Sequence, residues 1–184
     1  IAATGGTVAT SGNFKIHSFT GDGCFAVSCA GNSSGANTVD SLVVAGGGAG
    51  GAHGGDGSTV GGGGGAGGYR ESSGAASGCY TVSPLGACVA ALPVTATNYP
   101  ITVGAGGTSS FPGNSSTSSK GSNSVFSTIT STGGGGCNGS GMDCAARGNG
   151  GSGGGGRAYN SDIPGGTGNT PPVSPPQGNN GGTG

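Results

Sequence analysis

Hydrophobic and polar positions alternate clearly only near the start of the chain. Phe14 and Ile16 alternate with Lys15 and His17, a period of two that predicts a half-buried strand. Gly21-Asp22-Gly23 reads as a turn. The segment from Cys24 to Cys29 places Phe25 and Val27 on one face, and residues 32–37 read as a loop. A third strand follows over 39–45, whose Leu42-Val43-Val44 predicts full burial. Residues 1–45 are therefore expected to form a small antiparallel β unit. Beyond it the pattern breaks into glycine tracts at 46–51, 61–68, 133–136, 148–156 and 165–184. Strand-like runs at 92–103 and 124–130 interrupt them, and Pro171-Pro172 with Pro175-Pro176 predict a stiff, extended stretch. Residues 46–184 are thus expected to form one glycine-rich domain with inserted strands and loops.

Composition changes how those tracts are read. The chain holds 50 glycines in 184 residues, but only 25 Leu, Ile, Val and Phe together. So few large apolar side chains cannot order 184 residues through an ordinary core, because fixing each backbone costs about 1–2 kcal/mol. High net charge is the other half of the disorder signature, and here it is missing: the formal charge is −1, with 6% charged residues. Collagen's strict Gly-X-Y repeat is absent. The tracts combine glycine with alanine more than with serine, unlike a flexible linker. A threefold helix of the polyproline II type makes no internal hydrogen bonds, so its amides point outward. Glycine alone lets such helices approach closely enough to pair, so the sequence predicts a hydrogen-bonded slab of polyglycine-II-like helices, with loops projecting from its edges and little or no α-helix.

The chemistry is sparse. Lys15, Arg70, Lys120, Arg147 and Arg157 are scattered, which excludes the basic patch that nucleic acid requires. No run is long and apolar enough to span a membrane as a helix. The six cysteines form three close pairs: Cys24 with Cys29, Cys79 with Cys88, and Cys137 with Cys144. Local disulfides are the simplest reading and imply an oxidising, extracellular setting; free thiols are the alternative. No spacing fits a zinc set, and a calcium loop is absent, although Asp22, Asp56, Asp143 and Asp162 lie among turn residues. His53 with Asp56 lacks a nucleophile in any recognisable motif, and Gly-x-Gly-x-x-Gly matches mean nothing in such a chain. No enzyme activity and no cofactor are expected. Asn32, Asn114 and Asn138 each open an Asn-x-Ser sequon that could accept a glycan. His53, Tyr69, Arg70, Tyr80, Phe111, Arg147, Arg157 and Tyr159 flank or interrupt the glycine tracts. They are candidates for contacting glycans or proteins, or equally for capping the slab.

Several ordered phrases carry a resemblance: residues 39–48, 65–70, 99–107, 124–136 and 178–184. Over about residues 5–184 the chain resembles the glycine-rich domain of phage tail-fibre proteins. More distantly it is similar to phage adhesins with a polyglycine sandwich at the fibre tip. The resemblance implies a structural and adhesive component of an extracellular fibre or virion surface. Such a protein would associate with itself or with other fibre subunits, and contact a glycan or protein of the host surface. A self-assembling microbial cell-surface or secreted filament is the alternative. An ice-binding bundle would need regular small side chains on one face, which the sequence does not show. The chain opens at Ile1 rather than methionine and closes within a glycine-asparagine tract, as a processed product or a piece of a longer chain would.

Overall fold

The computed structural model describes residues 1–31, 37–51, 61–73, 89–109, 118–137, 148–156, 158–159 and 161–184. Among them there is no helix; the backbone forms short strands and extended glycine tracts. The chain divides into two compact units, and it passes between them five times. One unit holds Ile1–Val43, Arg70–Val103 and Val125–Thr130; the other holds Val44–Tyr69, Gly104–Ser124 and Ser131–Gly184. Strands from both sides of residue 45 thus belong to the first unit.

The centre of the first unit is a five-stranded sheet in the order β1-β4-β9-β10-β11. Its strands are β1 (Ala2–Thr4), β4 (Gly23–Cys29), β9 (Asn98–Thr102), β10 (Ser124–Phe126) and β11 (Ile129–Ser131). β4 runs antiparallel to both neighbours, with Phe25 opposite Tyr99, and β10 places Phe126 opposite Ile101. Alternation therefore puts Phe25, Val27, Tyr99, Ile101 and Phe126 on one face. Phe25, Val27 and Val94 are buried there, and Phe25 meets Phe126 edge-on with centroids 5.9 Å apart. β5 (Thr38–Val39) pairs with β8 (Leu92–Pro93), which brings Val39 and Leu92 onto this cluster.

β2 (Thr7–Ser11) and β3 (Phe14–Ser18) form a hairpin with the expected alternation but the opposite face inward. Phe14 and Ile16 are 43% and 46% exposed. His17 takes the inner side, its ring edge-on to Phe25 at 5.1 Å. Its Nδ1–H donates to the Gly5 carbonyl at 2.8 Å, so the polar edge is partnered and the rest of the ring packs as an aromatic. β6 (Leu42–Val44) pairs with β7 (Tyr69–Glu71). Full burial of β6 is also corrected: Val43 is buried, whereas Leu42 and Val44 are exposed, as a two-stranded ribbon covered on one face requires.

The second unit is built from eight glycine-rich tracts: 45–51, 61–69, 104–108, 118–122, 132–137, 150–156, 163–169 and 177–184, numbered 1 to 8 in that order. Their hydrogen bonds repeat every three residues. Tract 1 donates to tract 2 from Ala45, Gly48 and Gly51, to the carbonyls of Gly68, Gly65 and Gly62 at 2.8–3.0 Å. It donates to tract 4 from Gly46 and Ala49, to Ser122 and Ser119, and accepts from tract 5 on the carbonyls of the same two residues, from Gly134 and Cys137. Tracts 6 and 8 pair through Gly153 to Asn179 and Gly156 to Gly182, again three apart. A β ladder would repeat every two residues; a step of three belongs to the polyproline II class of helix.

Tracing the bonds orders the tracts into two rows, 3-1-2-8 and 4-5-6-7. Tracts 1, 2, 5 and 6 each bond to four others, twice what a strand within a sheet can reach. That is the expected slab: two layers of threefold helices joined by backbone groups alone. The packing leaves no room for side chains at its interior positions. A Cβ on Gly64 would collide with the carbonyl of Gly48, and one on Gly135 with that of Gly148.

Polar side chains close the tract ends, where no further helix turn supplies a partner. Asn123 Oδ1 accepts from Gly133 N–H, Asn149 Oδ1 from Thr167 and Asn180 Oδ1 from Gly168. The proline-containing stretch is corrected from extended to folded. Asn169 Oδ1 accepts from the amides of Val173 and Gln177 while its Nδ2 donates to the Val173 carbonyl, so the chain curls around that side chain.

Candidate recognition surface

The tracts run so that many of their ends come together. Gly51 is bonded to Gly62, which closes the base of segment 52–60. Ser118 Oγ donates to the Gly50 carbonyl at 2.6 Å, and Ser119 N–H to that of Thr108, so segment 110–117 springs from the same end. Cys137 N–H donates to Ala49, and segment 138–147 leaves directly after it. Gly155 and Gly156 are bonded to Gly63 and Gly182, which places the start of segment 157–162 beside them. Parallel and antiparallel pairing thus gathers the bases of four insertions at one end of the slab.

Those insertions hold most of the residues singled out from sequence. His53 and Asp56, Phe111 and Asn114, and Asn138, Asp143, Cys144 and Arg147 lie outside the described residues, as do Arg157 and, elsewhere, Asn32, Cys79, Tyr80 and Cys88. Tyr159 belongs to β12 (Ala158–Tyr159), which pairs with β13 (Ser161–Asp162) in a small hairpin. Tyr69 and Arg70 are half-buried on β7. Tyr69 N–H donates to Gln177 at 2.9 Å, which ties it into the packing of tracts 2 and 8.

The Cys24–Cys29 disulfide is overturned. Both residues stand on β4 as exposed free thiols. Five steps along an extended strand separate their Cα atoms by about 16 Å, whereas a disulfide needs less than about 7 Å. Cys137 is fully buried within the slab, where its Sγ donates to the Gly155 carbonyl at 3.0 Å.

Three polar features escaped sequence reasoning. Gln177 is 1% exposed: its Oε1 accepts from Thr132 N–H at 2.8 Å and its Nε2 donates to the Pro171 carbonyl at 3.1 Å. Ser72, also buried, donates its hydroxyl to Asp40 Oδ1 at 2.8 Å and accepts from Ser41 N–H. With that hydroxyl enclosed, the pair serves to close the link between residues 41 and 72, whose backbones are also bonded. Tyr99 receives hydrogen bonds at its phenol oxygen from Thr95, by the hydroxyl and then the amide at 2.8 Å, which hold its pKa below the usual tyrosine value. The one available signal was negative: a lone Gln between a proline pair and a glycine tract has no reason to be there unless its amide is used. Among the described residues no three His, Cys, Asp or Glu side chains gather, and no helix is long and apolar enough to cross a membrane.

No curated protein and no solved structure matches this chain. One family does, described as a glycine-rich domain, over residues 20–184. That match leaves out β1, β2 and β3 but takes in the other strands of the first unit and all eight tracts of the slab, and the chain belongs to the glycine-rich domain family.

Proposed function

We propose that this protein is a structural and adhesive component of an extracellular fibre, most specifically a phage tail fibre or virion surface protein that contacts its host. The observation that carries this reading is the convergence of four insertion bases at one end of a slab held by backbone hydrogen bonds. Its spacing is set by backbone geometry alone, so the insertions can vary without disturbing it. Their content suits recognition: His53, Phe111, Arg147, Arg157 and Tyr159 supply rings and guanidinium groups that grip sugars and peptides. The resemblance of the glycine-rich phrases to tail-fibre domains points the same way. Function then resides in assembly and surface recognition, with no chemical turnover.

The test is adsorption of the purified chain to candidate host cells. Replacing segments 52–60, 110–117, 138–147 and 157–162 by short glycine-serine linkers is expected to abolish adsorption and leave the melting temperature of the slab unchanged. Adsorption that survives all four replacements would overturn the reading. A subunit of a microbial surface filament is the second reading. The exposed Phe14 and Ile16, which share one face of the β2–β3 hairpin, favour it, because apolar side chains clustered at a surface mark association sites.

A further inference from the structure

We infer that the outer face of tracts 1 and 2 docks against the same face of a second copy of this chain. In a threefold helix the amides point in three directions, and tract 1 uses two. Ala45, Gly48 and Gly51 donate to tract 2, and Gly46 and Ala49 to tract 4. Gly47 and Gly50 complete the third set, and among the described residues their N–H groups have no partner. The carbonyls of Ala45 and Gly48 have none either, nor do the N–H and C=O of Gly64 and Gly67 on tract 2. One surface therefore carries both donors and acceptors, and residues one helix turn apart recur about 9 Å along it.

The second observation concerns side chains. Where neighbouring tracts touch, glycine is a steric necessity, as at Gly46, Gly48 and Gly64. At four outward positions of tracts 1 to 3 it is not. A Cβ would lie 3.7 Å from its nearest neighbour at Gly47, 3.5 Å at Gly50 and 3.8 Å at Gly106, and would meet nothing within 4 Å at Gly63. The fold would accept alanine at each, yet all four are bare. A face kept bare without internal need is what close approach by another backbone requires.

The occupant follows from the match. Donors and acceptors repeating at threefold spacing, with nothing larger between them than the exposed methyl of Ala66 one turn from Gly63, fit another threefold glycine helix, and the chain displays one such face itself. A twofold pairing of identical faces continues outward the lattice that joins tracts 1 and 2, and it closes as a dimer. This deepens the self-association within the proposed function and rests on that reading for the second copy as partner.

Sedimentation velocity over a concentration series of the full chain tests the inference. The wild type is expected to pass from monomer to dimer. Gly63→Arg and, on the adjacent tract, Gly106→Arg are expected to keep the wild-type melting temperature and remain monomeric. Amides of Gly47, Gly50 and Gly64 are expected to exchange about tenfold or more slowly in the dimer than in the monomer, as newly paired amides do. A wild type that stays monomeric throughout overturns the proposal, as does a Gly63→Arg protein that dimerises normally. Binding of this face to ice or to an unrelated protein, with no dimer, overturns it too. Cell adsorption separates the two readings: adsorption retained by the monomeric variants leaves receptor contact standing, and its absence in a wild type that dimerises counts against receptor contact alone.

Discussion

Adjacent glycines in tract 2 should respond oppositely to the same added methyl group. At Gly64 a Cβ would collide with the Gly48 carbonyl, with the carbonyl carbons of Gly48 and Ala49 only 2.6 and 2.7 Å away. Real Cβ atoms do not approach backbone closer than about 3 Å, so tracts 1 and 2 must separate. Three bonds span that gap, from Ala45, Gly48 and Gly51 at 3.0, 2.8 and 2.8 Å. Each contributes about 0.5–1.5 kcal/mol net. Losing two or three of them makes Gly64→Ala cost about 1–4.5 kcal/mol. In a chain of this size that lowers the melting temperature by roughly 2–18 °C. At Gly63 a Cβ meets nothing within 4 Å. Its backbone lies outside the left-handed region, so Gly63→Ala should be neutral or stabilise by up to about 1 kcal/mol through the unfolded state. Thermal and urea unfolding of both variants, at concentrations low enough to keep the chain monomeric, read the difference. Equal effects at the two positions would refute the reasoning, because a flexible glycine coil cannot distinguish 63 from 64.

Other perturbations reach different parts of the fold. Gln177→Ala strands the Thr132 amide and the Pro171 carbonyl, and should cost about 2–4 kcal/mol in urea unfolding; Gln177→Glu should restore little, since it keeps the acceptor and loses the donor. Cys24 and Cys29 should both alkylate in the native protein, and a peptide cross-linked between them on non-reducing mass mapping would contradict the strand geometry. Tyr99 should ionise below the ordinary tyrosine range by ultraviolet titration, and Thr95→Val should raise its pKa by removing the largest cause. Because the folded pKa is depressed, the stability Tyr99 adds is fully present above the unfolded pKa of about 10 and is lost as pH falls through the folded value.

Much of this architecture is legible in the chain because glycine has few physical uses in such quantity. Tracts of glycine and alanine, too uncharged to repel and too long to be linkers, leave interhelical backbone pairing as the source of order. Phe25 and Val27 likewise declare their face by alternation. The addresses of the tracts are illegible for a corresponding reason. A glycine has no side chain to specify whether Gly48 meets Gly65 or another carbonyl, so pairing is set by register three residues at a time and by loop length. The face of β3 misleads because His17 outweighs Phe14 and Ile16: one partnered nitrogen lets its ring serve as the aromatic neighbour of Phe25. Close spacing of Cys24 and Cys29 suggests a loop, but the residues between them alternate as a strand, and an extended chain keeps its ends apart. The candidate recognition residues were nameable one by one. That the bases of their segments meet at one end depends on the order of the two rows, which no local pattern encodes.

The central claim is that the glycine tracts are threefold helices paired by their backbones, and amide exchange resolved residue by residue tests it most directly. At concentrations that keep the chain monomeric, tract 1 should show a period of three: Ala45, Gly46, Gly48, Ala49 and Gly51 protected, Gly47 and Gly50 exchanging freely. Uniform rapid exchange across residues 45–51, or protection alternating every second residue, would contradict the account.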